Sequence, residues 1–336
     1  MKKNKSLILT NTSIEKIEKQ ISIGNKILES VNQSFILIIS KDYLFQIITL
    51  DDYKKTIQKI SLNNPTKNIF IDNLVTIELV TRNSMVIFFT KSGKYFASSI
   101  NKLVKVKNLK DYFNVDFQDK IIDVIAIDDK LENKNLIFAT SNGLVKRSKI
   151  NLFINECLTS ELAIKLYEND YLKKVIIADD DNQIVLSTKF GQLVRFDIDK
   201  IKPLSKKTYG ILGINLLDEE DNILNGLAKI EDFKDYVLVI TEKGKMKKSF
   251  LEDYRITNLG GKGVKTALIT NDTGYITNIR IVNEEEIYLL ITNLNNMHIS
   301  EIKNLKIIGR VSKPIKVFKL NDNEIINSII KLPNLK

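Results

Sequence analysis

The repeating unit of this protein is visible in one hairpin, Leu136-Ile137-Phe138-Ala139-Thr140-Ser141-Asn142-Gly143-Leu144-Val145-Lys146-Arg147-Ser148. A short apolar run is followed by Asn-Gly and then by a second run that begins with Leu-Val. Asn-Gly between apolar runs is the strongest short hairpin signal, because a type I′ turn needs a positive φ at both central residues. The stretch therefore predicts two antiparallel strands joined by a two-residue turn.

Apolar runs like the first half of this hairpin recur six times, with starts about 50 residues apart. They are Ile36–Ile39, Val86–Phe89, Leu136–Ala139, Ile184–Leu186, Val237–Ile240 and Ile287–Ile291. Four of them precede a turn that contains glycine: Ser92-Gly93, Asn142-Gly143, Phe190-Gly191 and Lys243-Gly244. The first and last units have polar turns without glycine, Lys41-Asp42 and Asn293-Leu294-Asn295. Short apolar runs bounded by turn residues indicate strands.

A third element completes most units, an acidic or Asn-rich turn followed by a spaced apolar strand. Its instances are Asp119–Ile127, Glu168–Ala178, Asp218–Leu227, Asn271–Ile281 and Asn321–Ile330. Six such units predict an all-β, propeller-like ring with about four strands per blade. The repeats occupy residues 34–332. Residues 1–33 are predicted to be an N-terminal extension with a helical pattern over Ser13–Glu29, and residues 333–336 a tail.

The composition excludes several classes of protein. The 336 residues contain one cysteine, Cys157, one histidine, His298, and no tryptophan, so a disulfide framework and a cysteine- or histidine-rich metal site are not expected. The apolar runs are too short to span a bilayer, and no signal peptide is recognisable. We therefore expect a cytoplasmic protein without a metal or cofactor. A lone histidine and the absence of a phosphate-loop motif also argue against catalysis.

The net charge of +10 comes almost entirely from lysine, because only six of the 51 basic residues are arginine. Basic residues follow the hairpin turns at similar places in units three to six. A basic band around a radial array suits the phosphate backbone of a nucleic acid, whose counterions are released on binding. Lysine lacks the planar fork that reads guanine, so the band is predicted to contact phosphates rather than bases.

The sharpest local motif is Gly260-Gly261-Lys262-Gly263 in unit five. Glycines permit positive φ angles and a close approach of the backbone to a partner. Successive N–H groups of such a loop form an anion-binding concavity when they point outward. The same glycines also fit a tight turn between blades, and both interpretations remain open from the sequence.

Several stretches resemble one known family. They are Phe138–Arg147, Phe190–Phe196, Ile240–Ser249 with its continuation Glu252–Thr266, Ile269–Gly274 and Ile308–Arg310. They resemble the C-terminal domain of the DNA gyrase A protein and its relative, the C-terminal domain of the topoisomerase IV A protein. The resemblance covers about residues 34–332, and it is strongest in units three to six.

The resemblance implies a six-bladed β-pinwheel, in which neighbouring blades share a strand. It implies binding and bending or wrapping of duplex DNA around the outer rim, in the nucleoid, with presentation of that DNA to the topoisomerase core. The glycine cluster resembles the family's gyrase A box, but Asn258-Leu259 replaces two arginines, and the cluster lies in unit five instead of unit one. Chiral wrapping is therefore in question, whereas bending is expected.

The phased cations and the glycine cluster together give the candidate DNA-binding residues. These are Lys146, Arg147, Lys149, Arg195, Lys206, Lys207, Lys245, Lys247, Lys248, Arg255, Gly260, Gly261, Lys262, Gly263, Lys265, Arg310 and Lys313. The chain is not expected to cut DNA by itself, because the family's DNA-breaking tyrosine lies in a region that this chain lacks. The alternative hypothesis is a propeller scaffold that binds an acidic protein or RNA.

Overall fold

The computed structural model describes residues 34–62, 72–115, 118–128, 134–216 and 223–334. The predicted extension 1–33 with its helix at Ser13–Glu29 lies outside the described residues. The start of the third element of unit four, Asp218, and the last two residues of the tail also lie outside them.

The described residues form six small antiparallel sheets, which we number as blades one to six. Blade one contains β1 (Ser34–Ser40), β2 (Phe45–Thr49) and β3 (Leu74–Thr81). Blade two contains β4 (Met85–Thr90), β5 (Lys94–Ser99), β6 (Ile121–Ile127) and β9 (Cys157–Leu162). Blade three contains β7 (Asn135–Thr140), β8 (Leu144–Lys149), β10 (Leu172–Ala178) and β13 (Ile211–Leu212).

The remaining three blades follow the same plan. Blade four contains β11 (Gln183–Thr188), β12 (Gln192–Asp197), β14 (Leu224–Ile230) and β17 (Val264–Lys265). Blade five contains β15 (Tyr236–Thr241), β16 (Lys245–Phe250), β18 (Ile276–Val282) and β21 (Ile315–Lys316). Blade six contains β19 (Ile287–Thr292), β20 (Met297–Glu301) and β22 (Ile326–Lys331). The α-helices of the described residues are α1 (Leu50–Leu62), α2 (Ile100–Leu103) and α3 (Leu109–Tyr112).

One strand of each blade lines the central axis. These inner strands are β3, β6, β10, β14, β18 and β22, and each contacts the inner strand of the next blade. The strand β22 also contacts β3, and the hydroxyl of Ser328 donates to the carbonyl oxygen of Leu74 at 3.3 Å. The ring is therefore closed between blade six and blade one. The all-β, six-bladed prediction is confirmed, with four strands in blades two to five and three in blades one and six.

The chain after each hairpin crosses to the preceding blade, and we call these crossing segments straps 1 to 6. Their residues are 50–62, 100–115, 150–165, 198–213, 251–265 and 302–316. In straps 3 to 6 the crossing segment ends as the outer strand of the preceding blade, so that β13 of the fourth repeat pairs with β8 of blade three. This is the strand sharing that a pinwheel requires.

In the first two repeats a helix takes the place of the donated strand. The helix α1 contacts the edge strand β20 of blade six, and its Tyr53 and Ile60 share an apolar cluster with Met297. The helices α2 and α3 pack their apolar residues into the cluster that also holds Phe35 of blade one. Apolar burial of about 25 cal/mol per Å² favours both arrangements without an added strand.

The hairpin turns differ from the predicted two-residue type. The loop Ser141–Gly143 has three residues, and the N–H of Gly143 donates to the carbonyl oxygen of Thr140 at 3.1 Å. Within that loop only Gly143 has a positive φ, +80°. This is the three-residue loop with glycine at its last position, so the type I′ prediction is wrong. Tyr43 and Asn295 occupy the same positive-φ position in blades one and six.

Candidate nucleic-acid interface

The straps form the outer rim of the ring and present most of its cations. In straps 3 to 6 the donated strand lies at the sheet edge opposite the inner strand, which is the edge farthest from the axis. The exposed basic residues of the straps are Lys54, Lys55, Lys59, Lys102, Lys105, Lys107, Lys165, Lys200, Lys202, Lys207, Arg255, Lys262, Lys265, Lys303, Lys306, Lys313 and Lys316. Every strap contributes at least one of them, so positive charge follows the whole rim.

Positive charge is unevenly distributed among the straps. Strap 6 contains five basic residues and no carboxylate. Straps 2 and 4 each contain four lysines and one aspartate, whereas strap 3 has a single lysine, Lys165, against Glu156 and Glu161. The strongest field is therefore expected along straps 2, 4 and 6, with a weak point at strap 3.

Two predicted arginines are buried and hold neighbouring repeats together. The Nη1 atom of Arg195 donates to the carbonyl oxygens of Leu251 at 3.1 Å and Tyr254 at 2.9 Å, at the start of strap 5. Its Nε atom donates to Oε1 of Gln183 at 2.7 Å. Arg147 makes the corresponding bonds to strap 4, to the carbonyl oxygens of Ile198 and Ile201, both at 3.4 Å.

Three predicted lysines are also buried. The ammonium group of Lys146 donates to the carbonyl oxygen of Ala163 at 2.7 Å, and that of Lys247 to the carbonyl oxygen of Gly309 at 2.9 Å. Burial lowers the pKa of Lys146 and of Lys247 to about 8. Lys248 pairs with Glu284 at 2.6 Å.

The expectation that these five cations belong to an exposed rim is therefore wrong. The residues are Lys146, Arg147, Arg195, Lys247 and Lys248. Neighbouring blades cover both faces of these hairpins, and the buried cations bond to carbonyl oxygens or pair with carboxylates.

A second group of predicted cations lies near the surface in ion pairs. Lys206 pairs with Glu161 at 2.9 Å and also donates to the hydroxyl of Tyr95 at 2.7 Å. Lys149 pairs with Asp180 at 3.1 Å. Exposed pairs of this kind contribute little to stability, and a phosphate can compete for the lysine.

In one of these surface clusters Asp272 pairs with two lysines, one from blade five and one from strap 6. Lys245 lies 2.5 Å from its carboxylate, and Lys313 of strap 6 contacts the same oxygen. The two ammonium groups lower the pKa of Asp272 to about 2. Nearby, Nη1 of Arg310 donates to the carbonyl oxygen of Lys265, which connects strap 6 to strap 5.

The remaining predicted cations are exposed. Lys207, Arg255, Lys262 and Lys265 lie on straps 4 and 5. No hydrogen bond or ion pair of their cationic groups is found within the described part of the chain. These side chains are available to an anionic partner.

The glycine cluster forms a turn between straps. The N–H of Gly260 donates to the carbonyl oxygen of Gly213 at 2.9 Å, and that of Gly261 to the carbonyl oxygen of Asn258 at 3.1 Å. A Cβ atom on Gly263 would lie 2.5 Å from the carbonyl oxygen of Leu193, and Gly263 has φ +76°. Gly260 is therefore explained by the close approach of strap 4, and Gly263 by its positive φ and the close approach of β12. The N–H groups of Gly260 and Gly261 do not face an anion.

The prediction from sequence missed the basic residues of strap 2. Lys102, Lys105 and Lys107 are exposed there, and Lys102 occupies the same place in its repeat as Lys200 of strap 4. Lys102 pairs with Glu156 of strap 3. The sequence feature that could have revealed them is the series of lysines after β5. An alignment of the units on their glycine turns would have placed these lysines on the rim.

The described residues contain no group of three or more His, Cys, Asp or Glu side chains that could hold a metal ion. Nor does this part of the chain contain a helix long and apolar enough to cross a membrane.

Comparison with known proteins agrees with this architecture. A family model described as DNA gyrase C-terminal domain, beta-propeller, matches residues 134–155, 182–226, 235–283 and 286–333. The A protein of DNA gyrase from Staphylococcus epidermidis is 29% identical over 270 residues, which are 78% of this chain and 30% of that protein. The chain therefore spans less than a third of the length of this relative.

Two solved structures have a similar fold. A DNA gyrase A C-terminal domain superposes with a TM-score of 0.74 at 17% identity, covering 90% of this chain and 100% of that chain. The C-terminal domain of a DNA topoisomerase IV superposes with a TM-score of 0.73 at 19% identity, covering 89% of this chain and 93% of that chain. Together with the repeat-by-repeat family match, they confirm the resemblance noted in the sequence. The chain matches the DNA gyrase C-terminal domain family over four of its six repeats and has the β-propeller fold of that family.

Proposed function

We propose that this protein binds duplex DNA along the straps and bends it around the rim. The observation that carries the proposal is the placement of exposed cations on every strap of a closed ring. A duplex that follows the rim contacts successive straps only when it is curved. Bending a site of 20–30 base pairs costs about 1–6 kcal/mol, which phosphate contacts on several straps can offset.

Strap 6 is the main contact in this proposal. Its five basic residues share their segment with no carboxylate, and two of them, Lys303 and Lys313, pair with carboxylates outside it, Glu301 at 3.0 Å and Asp272. Straps 2 and 4 provide the next strongest contacts, while the weak charge of strap 3 leaves a gap between them. Lysine contacts of this kind position the backbone and carry no base readout, so recognition is expected to follow the flexibility of the DNA.

The curated relatives are A proteins of DNA gyrase, of which this chain corresponds to less than a third. We infer that the ring serves as the DNA-presenting part of a type IIA topoisomerase and acts in the nucleoid. Its expected protein partners are the strand-passage core of the A protein and the B protein of the same enzyme. The ring itself is expected to carry no DNA-cleaving activity and to need no cofactor.

The first test measures duplex affinity against salt. The variant combines Lys303→Gln, Lys306→Gln and Lys316→Gln, and the matched control combines Lys234→Gln with Lys319→Gln, two exposed lysines outside the straps. Each lost phosphate contact should reduce the slope of log K against log salt by about 0.9, so the strap variant should lose about 2–3 and the control almost nothing. Equal slopes for both variants would remove strap 6 from the DNA path.

The second test separates bending from chiral wrapping. Nicked plasmid is incubated with the protein, ligated, stripped of protein and analysed for linking number. A protein-dependent shift indicates wrapping with a handedness given by its sign, whereas no shift with an intact complex indicates bending alone. Equal affinity for short and long duplexes, or tighter binding of RNA than of DNA, would favour the scaffold hypothesis instead.

A further inference from the structure

The central channel of the ring is a cavity of about 240 Å³, against the roughly 10–15 Å³ that one water requires. Each inner strand has a β-bulge near its start, where one residue faces the channel without a partner on the adjacent strand. These six residues are Val75, Ile122, Lys173, Asn225, Thr277 and Asn327, and all of them line the cavity. Because the bulge recurs at the same position of each inner strand, it directs the corresponding side chain of every repeat into the channel.

The lining of this cavity is strongly positive. Its basic residues are Lys41, Lys91, Lys173, Lys174 and Arg280, and within the described ranges no Asp or Glu lines it. Lys174 is neutralised by Asp123, 3.0 Å away on the neighbouring inner strand. The other four basic residues form no ion pair with a carboxylate among the described residues.

Three of the lysines converge at one mouth of the channel. Lys91 and Lys173 lie over the ring of Tyr171, with their Nζ atoms 4.4 Å and 5.7 Å from its centroid. Burial and the ammonium groups of Lys41 and Lys91 lower the pKa of Lys173. Lys41 and Lys173 are half-buried and Lys91 is exposed, and none of the three pairs with a carboxylate among the described residues. Because these like charges repel each other, an anion between them would relieve the repulsion.

The opposite wall of the channel, formed by blades five and six, contains hydrogen-bond donors. The Nε atom of Arg280 is buried and has no hydrogen-bond partner among the described residues, while its Nη2 atom donates to the carbonyl oxygen of Ile329 at 3.4 Å. Asn327, on the bulge of the next inner strand, lines the same wall. Cationic groups on one side and unsatisfied donors on the other fit a ligand with several negatively charged oxygens.

We propose that the axial channel is a binding site for a small molecule with linked phosphate groups, such as a diphosphate. One phosphate lies between Lys41, Lys91 and Lys173, and the next faces Arg280. The site is separate from the straps, and its existence does not depend on DNA binding by the rim. The recognised chemistry is the diphosphate itself, which is common to inorganic pyrophosphate and to nucleoside diphosphates.

The test is calorimetric titration of the full chain with inorganic pyrophosphate. We expect one saturable site per chain, weakened at least about tenfold by Lys91→Gln or Lys173→Gln. The matched control is Lys262→Gln with Lys265→Gln on strap 5, which should leave the affinity unchanged. Absence of saturable binding, or equal losses in the channel and strap variants, would overturn the proposal.

A second measurement uses the unmodified protein and so does not depend on how the variants fold. Lysines are acetylated with an amine-reactive reagent in the presence and absence of pyrophosphate and quantified by mass spectrometry. Lys91 and Lys173 should be protected while Lys262 is not, and equal reactivity in both samples would refute the site. Displacement of pyrophosphate by ADP would identify a nucleotide as the natural source, and lack of displacement an inorganic one. Both results support the site.

Discussion

Replacing Arg195 by methionine distinguishes a buried connector from a DNA contact. Arg195 is only 7% exposed, and its guanidinium bonds to strap 5 through two carbonyl oxygens. Methionine keeps most of the apolar stem but leaves those oxygens buried without a donor. Each orphaned acceptor costs about 1–3 kcal/mol, and breaking a buried charged network about 3–5 kcal/mol. We therefore expect Arg195→Met to lower the free energy of unfolding by about 4 kcal/mol.

The assay combines urea unfolding, followed by circular dichroism, with the salt dependence of duplex binding under conditions where the variant remains folded. The matched control is Arg255→Met, because Arg255 is exposed on strap 5 and the substitution is the same. The control should cost less than about 0.5 kcal/mol and reduce the salt slope by about 0.9. Unchanged stability of Arg195→Met together with a reduced salt slope would refute the assignment of Arg195 as a connector.

Two further predictions concern the glycine turn and the surface cluster of blade five. Gly263→Ala should destabilise the ring by about 1–3 kcal/mol, because Gly263 has a positive φ and a Cβ atom there would contact Leu193. The control is Gly309→Ala, which should be nearly neutral in the same thermal melts, since its Cβ atom would meet only Ser312 Oγ at 3.4 Å. Asp272 has a lowered pKa, so its stabilising contribution is present above its unfolded pKa near 4 and is lost as the pH falls towards 2. The difference in Tm between the wild-type protein and Asp272→Asn should therefore shrink from pH 6 to pH 2.5, and a constant difference would contradict the role of Lys245 and Lys313.

The fold could be predicted because its determinants are local and repeated. The glycine in the turns of blades two to five, such as Gly143, has a positive φ, and the apolar run before it fills the space between blades. The turn type was predicted wrongly at the same place, since Asn-Gly suggests two residues with positive φ and only the glycine has one. Short-range sequence signals specify that a hairpin exists more reliably than they specify its loop.

The candidate site could be predicted only in part, and the reason is physical. A cation that recurs at the same position of each repeat has the same partner in each repeat. The sequence alone does not show whether that partner is an external anion, such as a phosphate, or a carbonyl oxygen inside the protein. Arg147 and Arg195 recur because each repeat presents carbonyl oxygens of the next strap to its neighbour. The cations of strap 2 were missed because its helices replace the strand that marks straps 3 to 6.

The crossing of each strap to the preceding blade has a consequence for synthesis on the ribosome. A blade made early, such as blade three, keeps an open hydrogen-bonding edge on β8 until β13, some 60 residues later in the chain, has emerged. Open edges promote pairing with other nascent chains. In blade six the order of synthesis is the opposite, because α1, which covers the edge strand β20, is made before β20 itself. Completion of the last blade thus joins the first and the last repeats, and the ring closes only after blade six has been made.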